Sequence, residues 1–271
     1  MAKLPRSTAG LIGGLAVVGA FAAGGAFGAK LATRSATVPL PVEFAAHTAT
    51  AKCPKGTQVT GGGIRLADPF SDAPEGSHPV GKRRWQAVGL RAPFASGPSE
   101  LTSLARCIRG AKLRTRKKAR PLPDQSIRAV AAKCPRGWRV AGGGIRLGRP
   151  DEQDQVLGSF PVSKRKWRAI GLKQAGEPND SSVTAFARCV RGKVRIRSKT
   201  VTLPGSEARR SAKVTCPRGL ASTGGGIRLG DPVDDALGGS FPVGGRAWRG
   251  VGAHFGFPAT DGEMTVYVLC L

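Results

Sequence analysis

One segment of the chain reads Lys133-Cys134-Pro135-Arg136-Gly137 and continues, four residues later, as Gly142-Gly143-Gly144-Ile145-Arg146-Leu147. The same pattern occurs twice more, with Cys53 and Gly61-Gly62-Gly63 in one copy and Cys216 and Gly224-Gly225-Gly226 in the other. The first cysteines of successive copies are 81 and then 82 residues apart. A period this regular identifies a tandem repeat of three units.

The unit boundaries follow from Leu-Pro pairs that precede each first cysteine. We place β repeat units at 38–118, 119–200 and 201–271, with a short tether at 30–37. Units of this length are close to the smallest that bury a self-sufficient core. We therefore expect each unit to need a covalent staple.

A second cysteine ends each copy of the pattern and supplies that staple. The predicted pairs are Cys53 with Cys107, Cys134 with Cys189 and Cys216 with Cys270, which use all six cysteines. One matched pair per unit predicts structural disulfides and an oxidising compartment. No two cysteines lie close together in the sequence and no histidine recurs with them, so we expect no metal site at the cysteines. We also expect no cofactor.

The first 29 residues differ in character from the rest. Lys3 and Arg6 precede an uncharged run at 7–29 that is rich in glycine and alanine. This pattern predicts a signal peptide or, if it is not cleaved, an apolar helix that anchors the chain in a membrane. We favour the cleaved signal. Both alternatives place the remaining chain in the cell envelope or outside the cell.

Within each unit the sequence predicts short strands and no helix. Strands lead into the Cys-Pro turn, run through the glycine triplet, contain a tryptophan and end at the second cysteine. The fold class is therefore all-β, with the three units arranged around a pseudo-threefold axis or strung as beads. Three glycines inside a strand indicate a bulge with positive φ, or a surface on which backbone or an aromatic ring packs directly. Arg65, Arg146 and Arg228 should point away from the core.

The repeat pattern resembles bacterial secreted repeat proteins of unassigned function, through Cys-Pro-x-Gly, Gly-Gly-Gly, Ser-Phe-Pro (159–161 and 240–242), a tryptophan and a closing cysteine. It is also similar in outline to β-prism folds, including the vitelline membrane outer layer family, although the units here are longer and lack that family's cysteine pattern. The resemblance implies a threefold all-β architecture and no particular activity.

Two further features carry alternative interpretations. Trp85, Trp167 and Trp248 recur once per unit, either as core residues or as repeated sugar-stacking sites. Acidic residues cluster after the glycine strand, either as a calcium loop or as a solvated loop that pairs with arginine. Their positions are Asp68, Asp72, Glu75, Asp151, Glu152, Asp154, Asp231, Asp234 and Asp235.

The charge is high and unevenly distributed. The net charge is +26, and lysine plus arginine exceed aspartate plus glutamate by 9, 12 and 1 in the three units. Such an excess predicts an anionic partner for the first two units. The candidate contacts are Lys112, Arg114, Arg116, Lys117, Lys118, Arg120, Lys164, Arg165, Lys166 and Arg168.

The sequence contains no nucleophile elbow, zinc-protease motif or recurrent histidine arrangement. We therefore expect a non-enzymatic, exported protein of the cell envelope. Its expected partner is an anionic polymer, polysaccharide or surface such as phospholipid, with nucleic acid as another polyanion and membrane contact through 7–29 if that segment is uncleaved. The alternatives are a carbohydrate-binding module that uses the repeated tryptophans and a purely structural surface protein. The sequence does not predict an oligomeric state.

Overall fold

The computed structural model describes residues 31–42, 45–68, 71–92, 95–148, 154–174, 181–205, 209–231, 234–255 and 260–271. The predicted apolar helix, signal peptide or anchor at 1–29 lies outside these residues. Within the described part of the chain, no helix has the length and apolar character needed to cross a membrane.

The described residues form strands, which confirms the predicted all-β class. The strands are β1 (Leu31–Leu40), β2 (His47–Lys52), β3 (Thr57–Leu66), β4 (Asp72–Val80), β5 (Arg84–Arg91), β6 (Ser99–Arg109), β7 (Leu113–Pro121), β8 (Ser126–Lys133), β9 (Arg139–Leu147), β10 (Asp154–Ser163), β11 (Lys166–Lys173), β12 (Ser182–Val190), β13 (Arg195–Leu203), β14 (Arg210–Thr215), β15 (Ser222–Leu229), β16 (Asp235–Val243), β17 (Ala247–His254) and β18 (Gly262–Cys270).

Each copy of the repeat contains six strands. Strands β1–β6 form unit 1, β7–β12 form unit 2 and β13–β18 form unit 3. The first strands of the three units begin at Leu31, Leu113 and Arg195. The segment predicted as a tether at 30–37 therefore contributes to β1. The predicted boundaries at 118/119 and 200/201 fall inside β7 and β13 rather than between units.

Each of the three sheets is built from two units. Sheet I has the order β1-β6-β3-β16-β17-β14, sheet II β2-β5-β4-β9-β12-β7, and sheet III β13-β18-β15-β10-β11-β8. The third strand of one unit thus pairs with the fourth strand of another, as β9 does with β4. Because every sheet joins two units, the units surround a pseudo-threefold axis and are not separate beads.

The glycine triplets permit this close assembly. A Cβ atom on Gly142 would lie 2.8 Å from Cα of Gly61, and one on Gly224 would lie 2.7 Å from Cα of Gly142, so the first glycines meet at the axis. A Cβ on Gly143 would overlap the Trp167 ring. Register shifts adjoin the triplets, but their glycines are absent from the positive-φ residues found in the described chain. Close packing next to a bulge therefore explains the triplet, without positive φ.

The recurring tryptophans form the centres of the unit cores. Trp85, Trp167 and Trp248 each have 0% exposure. Each indole N–H donates a hydrogen bond of 2.8–2.9 Å to a serine on the preceding strand. Because no ring face is accessible, the structure contradicts the predicted sugar-stacking role of these three residues.

The three predicted disulfides form as expected and link the same places in each unit. Cys53–Cys107, Cys134–Cys189 and Cys216–Cys270 have Cα–Cα distances of 5.6, 5.7 and 5.7 Å. They are consistent with an extracellular, oxidising environment.

In each unit, one aspartate of the predicted acidic loop is buried. It pairs with a basic side chain on the neighbouring strand. Asp72 accepts a 2.6 Å hydrogen bond from Arg91, Asp235 lies 2.7 Å from Nδ1 of His254, and Asp154 lies 3.6 Å from Nζ of Lys173. The calcium-binding alternative is therefore wrong for these three carboxylates. The predicted pairing with arginine is confirmed for Asp72, although this carboxylate is buried and not solvated. Asp151 and Glu152 lie outside the described residues, and within the described chain no group of three metal-ligating side chains occurs.

Two buried arginines join neighbouring units. Arg106 of unit 1 donates to the carbonyl oxygens of Ser222 at 2.8 Å and Gly245 at 3.0 Å in unit 3. Arg188 of unit 2 donates to the carbonyl oxygen of Val59 in unit 1 at 2.7 Å. Burial lowers the pKa of each guanidinium to about 10. The equivalent position before the last cysteine of unit 3 is Leu269.

Candidate polyanion-binding groove

Strand β7 is the edge strand of sheet II and carries the densest run of predicted contacts. It pairs with β12 on one side only. Residues 114 to 121 are all exposed. The run of cations in this segment therefore lies on an ordered edge strand.

The register turns three of these cations toward the open side of the unit. Arg116, Lys118 and Arg120 lie opposite Ala187, Ala185 and Val183, which are core residues with 0% exposure. Paired residues share a face of the sheet, so the three cations point to the face on which the core lies. Their spacing of two residues corresponds to about 6.8 Å along the strand.

Strand β8 faces β7 across a groove. It is the edge strand of sheet III, so two sheet edges of unit 2 border the same opening. The groove has a volume of about 690 Å³ and is floored by the small residues Ala129 to Ala132. Its cationic lining consists of Arg116, Lys117, Lys118, Arg120, Lys133 and Lys166. Among the ion pairs found in the described chain, none involves these six side chains.

The equivalent strand of unit 1 keeps a cation, Arg34, at the position of Arg116, but it closes the rest of the opening with apolar residues. Through the shared register, Lys118 corresponds to Ala36 and Arg120 to Val38. Ala36 and Val38 pack against the unit 1 core. In unit 3, Arg197 and Lys199 correspond to Arg116 and Lys118. Val201, which corresponds to Arg120, packs on the core. Only β7 therefore presents cations at every inward position from 114 to 120.

Arg114 extends the cationic surface past the disulfide end of the groove. Its guanidinium carbon lies 4.7 Å from the centre of the Trp138 ring, and that of Arg191 lies 5.4 Å from it. Cations near an aromatic face are attracted by the ring quadrupole. Trp138, the one tryptophan outside the recurring position, is therefore a platform that holds two arginines together.

The other predicted contacts are dispersed. Lys112 and Lys164 are exposed and lie outside the groove lining. Arg165 donates to the carbonyl oxygen of Cys134 at 3.1 and 3.3 Å, as Arg83 does to Cys53 and Arg246 to Cys216. Its recurrence in all units indicates that it anchors the Cys-Pro turn. Arg168 lies on the outer face of sheet III, also outside the groove.

Two contributors to this surface were missed by sequence reasoning. Lys133 lines the groove from β8, and Arg191 joins Arg114 over Trp138. Lys133 lay inside the repeat pattern, where it was interpreted as part of the Cys-Pro motif. The signal for Arg191 was the unpaired Trp138, since a tryptophan outside the repeat needs its own explanation.

Comparison with models of known protein families gives no match to this chain, and comparison with curated proteins gives none either.

Proposed function

We propose that this protein is a non-enzymatic, exported protein of the cell envelope that holds an anionic polymer in the β7–β8 groove of unit 2. The observation that carries the proposal is the convergence of six cations from two sheet edges, with no paired carboxylate among the described residues. Release of counterions from a polyanion supplies the binding free energy in such a site.

The shape of the groove favours a thin, flexible chain as the ligand. Arg116, Lys118 and Arg120 line one wall, and Lys133 and Lys166 line the other. A ligand that contacts both walls must enter between the strands, which a flat surface of lipid headgroups does not do. We therefore propose a linear anionic chain, such as a phosphate-linked wall polymer, an acidic polysaccharide or a single-stranded nucleic acid.

Export is supported by the three disulfides and by the predicted signal at 1–29. The carbohydrate-binding alternative has no support left from Trp85, Trp167 and Trp248, because their rings are buried. A purely structural surface role is the outcome that the following experiment separates from polymer binding.

The decisive variant exchanges β7 cations for the residues of β1. Arg114→Ala, Lys117→Ser, Lys118→Ala and Arg120→Val reproduce the unit 1 strand at four positions. Binding to long-chain polyphosphate should weaken on the order of a hundredfold at moderate salt. The slope of log K against log salt should shrink by about 3, because about 0.7 counterion is released per contact on a single chain.

The matched control removes four exposed cations from unit 1, through Lys52→Ser, Lys55→Ala, Arg84→Ala and Arg109→Ala. It lowers the net charge by the same amount and should leave most of the affinity intact. Equal losses in the two variants would show general charge attraction and refute the groove. Both the β7 variant and the native chain can also be eluted from isolated bacterial envelope with a salt gradient. If the two are retained equally, the result would favour the purely structural role.

A further inference from the structure

The outer face of sheet III contains a second concave site, separate from the groove. It has a volume of about 560 Å³, in the range of pockets that hold small molecules. Phe160 and Tyr267 form its base, with parallel rings whose centres are 5.7 Å apart. Ile127 and Val162 border it and are each 38% exposed, whereas Phe160 is 5% exposed, so the exposed apolar surface lies at the rim and Phe160 forms the covered floor.

The two pseudo-equivalent sheet faces have only part of this character, since sheet I retains a phenylalanine, Phe241, at the position of Phe160. Phe160 corresponds to His78 on sheet II, where the imidazole stacks on Phe186. Ile127, seven residues before its cysteine, corresponds to Arg209 in unit 3. Tyr267, three residues before its cysteine, corresponds to Leu104 on sheet I. Since the scaffold is shared, the fold does not require an apolar aromatic trough on sheet III.

Two arginines make the trough selective for an anion. Arg168 and Arg228 line it and are exposed. No ion pair described for this chain involves either guanidinium. A second copy of the chain is a poor occupant, because a net charge of +26 makes two copies repel each other. The complementary ligand has an apolar body and a negatively charged head.

We propose that this trough binds a small amphiphilic anion as a free monomer. Its acyl or aryl body lies on Phe160 and Tyr267, and its carboxylate or phosphate accepts hydrogen bonds from Arg228 and Arg168. The proposal is independent of the β7–β8 groove, which lies between two sheet edges and binds by charge alone. It also gives Arg168 a role other than polymer binding.

The test uses the single tyrosine of the chain as a reporter. Protein labelled with ¹³C only in tyrosine shows the ring signals of Tyr267 alone, and dodecanoate is added below the concentration at which it forms micelles. We expect a saturable shift of the Tyr267 signals. Dodecanol, which lacks the charge, should bind about tenfold or more weakly, since hydrogen bonds to a charged group exceed neutral ones.

Three variants locate the site. Arg228→Ser should weaken binding about tenfold, while Arg65→Ser at the equivalent position of sheet I should leave it unchanged. Phe160→His introduces the residue that unit 1 has at this position and should also weaken binding, with an unchanged strand signal in circular dichroism as proof of folding. The four-substitution β7 variant should bind dodecanoate like the native chain.

Three results would overturn the proposal. The first is dodecanoate binding by calorimetry without a shift of the Tyr267 signals. The second is an equal loss in Arg65→Ser and Arg228→Ser. The third is a Tyr267 shift with vesicles of anionic lipid and none with the monomer, which would make the trough a membrane contact. None of these results bears on polymer binding in the groove.

Discussion

Units 1 and 2 have the same six strands, the same disulfide and the same buried tryptophan, yet their open sides differ. One wall of the opening is cationic in both, because Lys52 and Arg84 occupy the positions of Lys133 and Lys166. The other wall differs: β1 places Ala36 and Val38 against the core, whereas β7 places Lys118 and Arg120 in the groove. The shared residues specify the scaffold, and a single edge strand specifies the surface.

An edge strand can diverge in this way because it supports little of the core. Its side chains at the open side contact one neighbouring strand and solvent, so replacing an apolar residue by a cation costs a small part of the unit's burial energy. The long aliphatic parts of lysine and arginine also cover apolar surface while their charges remain hydrated. Positions nearer the axis have no such freedom.

The largest expected effect on folding stability concerns the glycine triplet, which the two units share. Gly143→Ala should destabilise the protein by about 4 kcal/mol or more, because the added methyl overlaps the Trp167 ring and the carbonyl oxygen of Phe186. Gly62→Ala in unit 1 should cost as much. Chemical denaturation measures both. Gly137→Ala is the control, since its φ of 79° is strained for alanine but its surroundings are open, and it should cost only about 1 kcal/mol. A tolerated Gly143→Ala would mean that the axis is looser than the structure shows.

The second prediction concerns His78 of unit 1, which stands where unit 2 has Phe160. Burial, together with the charge of Arg146, lowers the pKa of His78 to about 4. The unfolded chain therefore binds more protons between about pH 6.5 and 4. This histidine contributes stability above pH 6.5 that is lost as the pH falls to 4.

His78→Phe introduces the residue that unit 2 has at this position. Between pH 7 and pH 4 the variant should lose about 3 kcal/mol less folding stability than the native chain. Denaturation at several pH values measures this difference, with His47→Phe at the half-buried start of β2 as the control for a generic histidine effect. An unchanged pH dependence in His78→Phe would show that His78 is protonated without penalty in the folded chain.

The third prediction converts unit 1 into unit 2. Ala32→Arg, Ser35→Lys, Ala36→Lys and Val38→Arg place the β7 cations on β1, opposite Lys52 and Arg84. In the background of the four-substitution β7 variant, polyphosphate affinity should rise at least about tenfold, and the salt slope should increase by about 3. Fluorescence anisotropy of a labelled polymer checks both. If the grafted protein is folded and still does not bind, then unit 2 contributes something beyond its edge strand.

The smallest expected effect distinguishes the two buried arginines. Arg106→Leu should cost about 1–3 kcal/mol, because it removes the buried donor to the carbonyl oxygen of Ser222 and one of the donors to that of Gly245, which keeps the Ser222 N–H. Arg188→Leu should cost about 1 kcal/mol less, because Nη2 of Arg188 already has no hydrogen-bond partner. Leucine is the residue that unit 3 has at this position. Equal losses measured by thermal denaturation would contradict this difference.

Much of the scaffold was predictable from local pattern. The fixed period and the paired cysteines gave the number of units and the three disulfides, because covalent pairs and repeats are visible in one dimension. The exposure of Arg65, Arg146 and Arg228 followed from the alternation of side chains along a strand, and all three are exposed. The β7 cations were identifiable because they are consecutive in sequence.

What the sequence alone determined is the content of each unit: its all-β class, its disulfide, its tryptophan and its charge. It did not determine the fourth strand (β4, β10 or β16), which begins in the predicted acidic loop. Only the tertiary structure decided how units share sheets, since pairing of β9 with β4 depends on contacts between residues 70 positions apart, as for Gly76 and Arg146. It also decided that Asp154 pairs with Lys173, that Trp167 is buried and that Lys133 joins the β7 cations. These outcomes depend on which sheet faces and strand edges pack together around the pseudo-threefold axis. A local repeat in the sequence does not specify that packing.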